Sequence, residues 1–422
     1  MGQTPVRATE PGNNLPNGPR IDRARASRIM EDAGLDGLVL GNPISIYHLT
    51  GHRTNSVHAQ SFNSGAVLAC MPRDARLPIV LLIASSPSAA YANIHREEDC
   101  EVYLYADPAD PWMPGTAGAG SRTEGASAEP LLGVMERRRA DAAARWAGRH
   151  GVSAHRNAAL RKALGDLGLR NARIGVDDGV PLDARGEFDQ AKAVADAALA
   201  MARIRLVKTP FEIELMRRAA RANAEAARAA VNVVRHGGNY QDLRTAFYAE
   251  ACKRGNTPTW LIIDRVVSES FNAEFQDGQT FAIDAVSTQR GYHGDYGRTI
   301  FIGEPSKVMK LSAQASTLAW AAIREKLRPG LRFSDIRALG HDALRKTGSE
   351  TTVKFTTHSV GLYHTDALGL GDVVLEEGMT ISVDCPVVDV GIGGSAHLED
   401  LTLITANGGV QINDIADPTI QI

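Results

Sequence analysis

Residues 281–302 read FAIDAVSTQRGYHGDYGRTIFI, two apolar strand-like runs joined by a polar turn, and each run carries an aspartate where a hydrophobic residue is expected. Aspartate is depleted in strands, and a buried carboxylate is costly unless it is paired or ligates a metal. Asp284 and Asp295 do not stand alone. TISVDCPVV places Asp384 within another β-type run, and AHLEDLTLIT places Glu399 at the head of a further one. Four acids on strand-like segments require a shared counter-charge. His358, from KFTTHSVGLYHTD, adds an imidazole to the set. Oxygen-rich ligands with one imidazole suit a divalent ion such as Mn, Co, Fe or Zn. A structural zinc site would usually carry thiolates, so this is the composition of a catalytic centre. Any one of the five residues alone reads as a satisfied edge or core group; the five together read as a site.

Outward from this stretch, the second half of the chain opens with RLVKTPFEIELMRRAA. Thr209 is placed to cap a helix, Pro210 suits its first position, Glu212 completes a capping box, and Val207 with Ile213 forms a hydrophobic staple. The pattern predicts a long helix to about residue 235, further helices near 240–253, 309–327 and 333–347, and strands elsewhere, an α+β domain over residues 200–422 that holds all the odd acids. The first half alternates differently. A helix from Ile21 leads into LDGLVLG, followed by strand candidates GAVLACM, PIVLLI, EVYLY and RIGVDD and helices near 131–149 and 155–167. This predicts an α/β domain over residues 21–195. Residues 108–130 are a long Pro/Gly/Ala/Ser stretch, and loops of that length tend to be lids, binding loops or disorder; Trp112 within it is a candidate pocket cover.

Composition excludes several classes. With 422 residues, 44% hydrophobic and 23% charged, the chain is long enough for two packed cores. A net charge of -3 with dispersed Lys and Arg gives no field for nucleic acid or an anionic membrane. Residues 1–20, rich in Pro, Gly and Asn, lack the apolar core of a signal peptide and read as a disordered tail. No apolar run approaches membrane-spanning length. Cys70, Cys100, Cys252 and Cys385 are far apart and form no CxxC, which suits a reduced cytoplasm better than a disulfide framework. Three read as core thiols, while Cys385, beside Asp384, is left open.

The ordered set Asp284, Asp295, His358, Asp384, Glu399, its first two members eleven residues apart, resembles the five-ligand metal site of the pita-bread family of creatinase, prolidase, aminopeptidase P and methionine aminopeptidase. RLVKTPFEIELMRRAA resembles the helix that opens that family's catalytic domain, GMTISVD and HLEDLTLIT its two glutamate segments, and LDGLVLGNPISIYHLTGHRT the smaller N-terminal domain of creatinase and prolidase. The resemblance implies that Asp284 chelates one ion, Asp295 and Glu399 bridge, and His358 and Asp384 hold the other. One or two divalent ions are implied, manganese foremost, with Co, Fe or Zn as alternatives.

The departures point away from peptide cleavage. The family usually has glutamate where this chain has Asp384, whose side chain is shorter by roughly an ångström, so one ion is expected to be held loosely. Where proline-cleaving members have auxiliary histidines, this chain has Lys354 and Thr365, with His364 one place early; His397 stands where an arginine is often found. The expected activity is therefore hydrolysis of a C–N bond in a small, anionic, non-peptide molecule by a metal-bound hydroxide, as in the branch that includes creatinase and nitroanthranilate aminohydrolase. His364 and His397 are candidate proton carriers and Arg298, within DYGRT, is expected to brace Asp295. Lys354 and Arg290 are candidates for binding a substrate carboxylate. His52, Arg53 or Trp112 would close the pocket of a neighbouring subunit, as the resemblance to oligomeric members implies. An Xaa-Pro dipeptidase or aminopeptidase, a carbon–sulfur lyase on the same fold and a metal-free binding protein are the alternatives. A cytoplasmic homo-oligomer acting on a small molecule, with neither nucleic-acid nor membrane partners, completes the expectation.

Overall fold

A computed structural model describes residues 18–53, 65–85, 99–106, 134–189, 192–194, 197–267, 269–413, 415 and 417–422. Trp112 and most of the expected tail lie outside these residues. The chain divides into two compact units, one of residues 19–204 and one dominated by residues 205–422.

The first unit is α/β. Its sheet has the order β5 (Val152–Ser153), β4 (Cys100–Tyr105), β3 (Ile79–Ala84), β2 (Leu68–Pro72), β1 (Gly37–Leu40) and β6 (Ile174–Val176). β1 pairs antiparallel with β2 and parallel with β6, and β3 and β4 run parallel. These strands are apolar on both faces because each face carries its own core. Leu38, Leu40, Leu81 and Ile83 pack with Met30 and Trp146, while Val39, Val80 and Leu82 pack with Leu160 and Leu164.

The second unit is α+β and opens on helix Pro210–Ala230, where the Thr209–Glu212 capping box forms as the sequence predicts. The helix gives way at Val231 to a 3-10 segment, Val231–His236, earlier than the expected end near 235. Val231, Val233 and Val234 are β-branched and disfavour continued α-helix, and Gly237 adopts a left-handed conformation that ends the run. This helix and Tyr240–Lys253 cover a sheet of order β12 (Glu399–Asp400), β9 (Tyr292–Phe301), β8 (Thr280–Gln289) and β7 (Thr257–Ile263), with β15 (Thr419–Gln421) parallel to β9. Phe281, Ile283 and Ala285 share a core with Phe247, Tyr296 and Ile300. A second sheet, β10 (Thr356–Ser359), β11 (Thr380–Asp384), β13 (Thr402–Thr405) and β14 (Gly408–Gln411), shares its core with helices Lys307–Lys326 and Phe333–Thr347. Cys385 belongs to that core, fully buried with its thiol pushed up by burial, which settles it as a packing residue. No helix among the described residues is long and apolar enough to cross a membrane.

Candidate metal centre

Register places three acids on one face of the first sheet. Asp284 on β8 lies opposite Gly297 on β9, Glu399 on β12 lies opposite Gly297 from the other side, and Asp295 precedes Gly297 by two residues. Side chains alternate along a strand, so the apolar residues 281, 283 and 285 turn to the helices and Asp284 turns away. The second sheet supplies the rest: His358 is opposite Ser382 and Asp384 is opposite Thr356, which puts His358 and Asp384 on one face as a diagonal pair.

The side chains converge. His358 Nε2 lies 3.4 Å from Asp384 Oδ1, 3.6 Å from Glu399 Oε1 and 3.7 Å from Asp295 Oδ2. Its Nδ1 lies 3.0 Å from the carbonyl oxygen of His364, and this contact holds Nε2 toward the acids. His364 Nε2 lies 3.1 Å from Asp295 Oδ2, His397 Nε2 lies 3.1 Å from Glu399 Oε2, and Ser382 Oγ donates to Glu399 Oε1 at 2.6 Å. All five residues of the expected set are therefore in one cluster, joined by the imidazoles of His364 and His397.

Electrostatics reflect the crowding. Burial and then Glu399, Asp295 and Asp384 raise the carboxyl of Asp284 well above its usual range, and burial with Glu399 pushes Asp384 up to about 6. Burial acts upward on Glu399 too, but hydrogen bonds from Asp384, His358 and His397 hold it down to about 2. Burial opposes charge on the three imidazoles, yet their carboxylate neighbours raise all three. The donor set fits divalent cations. Asp284 Oδ1 and Asp295 Oδ1 are buried with no hydrogen-bond partner among the described residues, and three residue groups bring ligand atoms within 4.8 Å of one another: Asp284/His397/Glu399, Asp295/His358/His364 and His358/Asp384/Glu399.

Residues 214–406 match the sequence model of metallopeptidase family M24. The C-terminal unit is an M24 domain. A probable dipeptidase PepE of Mycobacterium tuberculosis is 32% identical over 146 residues, 33% of this chain and 39% of that protein. An Xaa-Pro dipeptidase of Lactobacillus helveticus is 26% identical over 247 residues, 53% of this chain and 64% of that protein, so the alignments span less than two thirds of these relatives. Among solved structures, a dipeptidase from Pyrococcus horikoshii superposes with a TM-score of 0.65 at 17% identity, covering 95% of this chain and 100% of that one. The Xaa-Pro dipeptidase of Bacillus anthracis gives 0.63 at 19% identity, covering 96% and 99%. The fold is the expected one, an α/β unit followed by a pita-bread domain.

The other site expectations fare differently. Arg298 does not brace Asp295. It lies one residue past Gly297 and so on the opposite face of β9, where it donates to Asp400 Oδ1 at 2.7 Å and to the carbonyls of Glu399 and Asp417. Arg290 sits at the β8–β9 turn with φ of 50°, and Lys354 is exposed, with no ion pair to the cluster's four acids among the described residues. His52 is buried and Arg53 half-buried in the other unit. Sequence reasoning overlooked Ser382, whose place two residues before Asp384 on the same strand face was a usable signal, and Trp260, whose ring meets His364 edge-on at 4.8 Å. It also overlooked Asp366, buried in an ion pair with Arg205 and Lys208.

Proposed function

We propose that this M24 chain is a divalent-metal-dependent hydrolase that cleaves a C–N bond in a compact, anionic, non-peptide substrate. The observation that carries the reading is the convergence of four carboxylates and three imidazoles from both sheets of the C-terminal unit and the segments beside them, with buried carboxylate oxygens left unpartnered. Asp284, Asp295, His358, Asp384 and Glu399 would hold one or two ions. The chemistry such ions supply when bound is Lewis acidity, which brings the pKa of water toward neutrality. Ser382 fixes the Glu399 carboxylate, and the His364 carbonyl fixes the His358 ring. His364 is the proton carrier of this scheme: its side chain is 29% exposed against 8% for His358 and His397, and Asp295, which contacts Nε2, orients the ring as the imidazole hands a proton to a leaving nitrogen.

Lys354 and Thr365, at the positions where proline peptidases carry histidine, are both exposed and supply no imidazole. That favours a non-peptide substrate. The second reading, an Xaa-Pro dipeptidase, draws its support from the relatives and structures that bear that name. Metal analysis of the purified chain, followed by assays for ammonia released from amides and aromatic amines and for proline released from Xaa-Pro dipeptides, separates the two. Efficient proline release would promote the second reading; ammonia release abolished by Asp295→Ala would establish the first.

A further inference from the structure

We propose that His397 is itself a metal ligand, completing with Asp284 and Glu399 a nitrogen-containing site that discriminates zinc from manganese. The inference rests on the reading that the cluster holds divalent ions, and it adds a second imidazole to a set expected to contain one. The ring is 8% exposed, and its one polar contact among the described residues is that of Nε2 with Glu399 Oε2 at 3.1 Å; Nδ1 is buried without a hydrogen-bond partner. The imidazole is therefore oriented from the acid side alone. Asp284, His397 and Glu399 each offer an atom within 4.8 Å of the other two, a spacing compatible with a common ion at bond lengths near 2.0–2.2 Å.

The backbone makes room for this arrangement. Gly297 lies between Asp284 and Glu399 in the ladder, and a Cβ placed on it would fall 2.3 Å from Cδ2 and 2.4 Å from Nε2 of His397. Only glycine lets the ring lie against β9 with Nε2 at the level of the two carboxylates. Neutral imidazole suits zinc, copper, iron and nickel, whereas all-oxygen sets suit manganese and magnesium. A second imidazole therefore moves the centre away from the manganese expected from the carboxylate count.

The test uses the full-length protein. One equivalent of copper is added to the metal-free His358→Ala protein, which removes the imidazole of the other group, and the coordinated nitrogens are counted by pulsed electron paramagnetic resonance. One imidazole is expected, lost when His397→Ala is added and kept when His364→Ala is added. In parallel, competition between zinc and manganese, read by metal analysis after dialysis, is expected to show the zinc preference reduced at least about tenfold in His397→Ala. A copper ion bound with no coordinated imidazole in the His358→Ala protein overturns the inference. So does an unchanged count and preference in a folded His397→Ala, or a loss confined to His364→Ala. Failure of the wild type to retain any ion overturns the underlying hydrolase reading, and the inference with it.

Discussion

Replacing Asp366 by Asn tests the support of the site rather than its ligands. Asp366 Oδ1 accepts from Arg205 Nε at 2.8 Å and Oδ2 from Lys208 Nζ at 3.2 Å; the side chains of Asp366 and Lys208 are 1% exposed and that of Arg205 8%. Its amide donates to the carbonyl of Ser359, closing the loop that carries His364 from the end of β10. Asparagine keeps the shape but leaves two buried cations without a counter-charge. Breaking a buried pair in this way costs about 3–5 kcal/mol, and for a unit of this size each kcal/mol lowers the melting temperature by about 2–4 °C, so a fall of roughly 6–20 °C is expected at pH 7. Burial opposes ionisation of Asp366, but Lys208 and Arg205 hold its folded pKa below the ordinary value. Its stabilisation is therefore complete above the unfolded pKa of about 3.9 and lost as pH falls through the folded value, so the gap between wild type and variant should close in acid. Adding Lys208→Met should recover part of the loss. Scanning calorimetry from pH 7 to pH 3 reads all three. A variant melting within about 2 °C of wild type at pH 7, or a gap that widens on acidification, would refute the reasoning.

Asp295→Ala and Glu399→Ala should each lower metal retention and turnover by at least about 10²-fold with native circular dichroism; near wild-type retention in either removes that residue from the site. Metal should be lost on dialysis against a mild chelator, and Asp384→Glu should slow that loss, because the longer side chain restores the reach that the aspartate lacks; metal analysis across the dialysis reads both. His52, whose pKa burial lowers to about 4, favours folding only when neutral. The stability it contributes is complete above the unfolded value of about 6.5 and drains away as pH falls toward 4, so His52→Gln should flatten the pH dependence of melting in that window.

Much of the site was legible because polarity conflicts with propensity where function demands it. Asp284 and Asp295 stand out in apolar runs, and the Thr209–Glu212 box announces its helix without tertiary help. What was not legible depends on register and on long-range pairing. Nothing local says that Gly297 is flanked by Asp284 and Glu399, or that Asp366 finds partners 158 and 161 residues away. Arg298 was misread although strand parity was available: residues 295 and 298 point to opposite faces, and the pairing with Asp400 follows from that. The shortened helix after Ala230 was misjudged because apolar periodicity continued through valines that the backbone did not keep in an α-helix.

The place of β9 in its sheet also bears on how the chain is made. Its partners β12 and β15 begin at Glu399 and Thr419, so about a hundred residues must follow Asp295 out of the ribosome before Glu399 can pair, a delay of roughly 5–20 s at ordinary elongation rates. For that interval β8 and β9 can form a hairpin whose outer edge is open, the kind of edge that recruits other strands. Asp284 and Asp295 lie on its face, and charge on an open edge discourages such pairing. Two acids of the proposed metal centre would thus also discourage the growing polypeptide from pairing with its neighbours on a polysome.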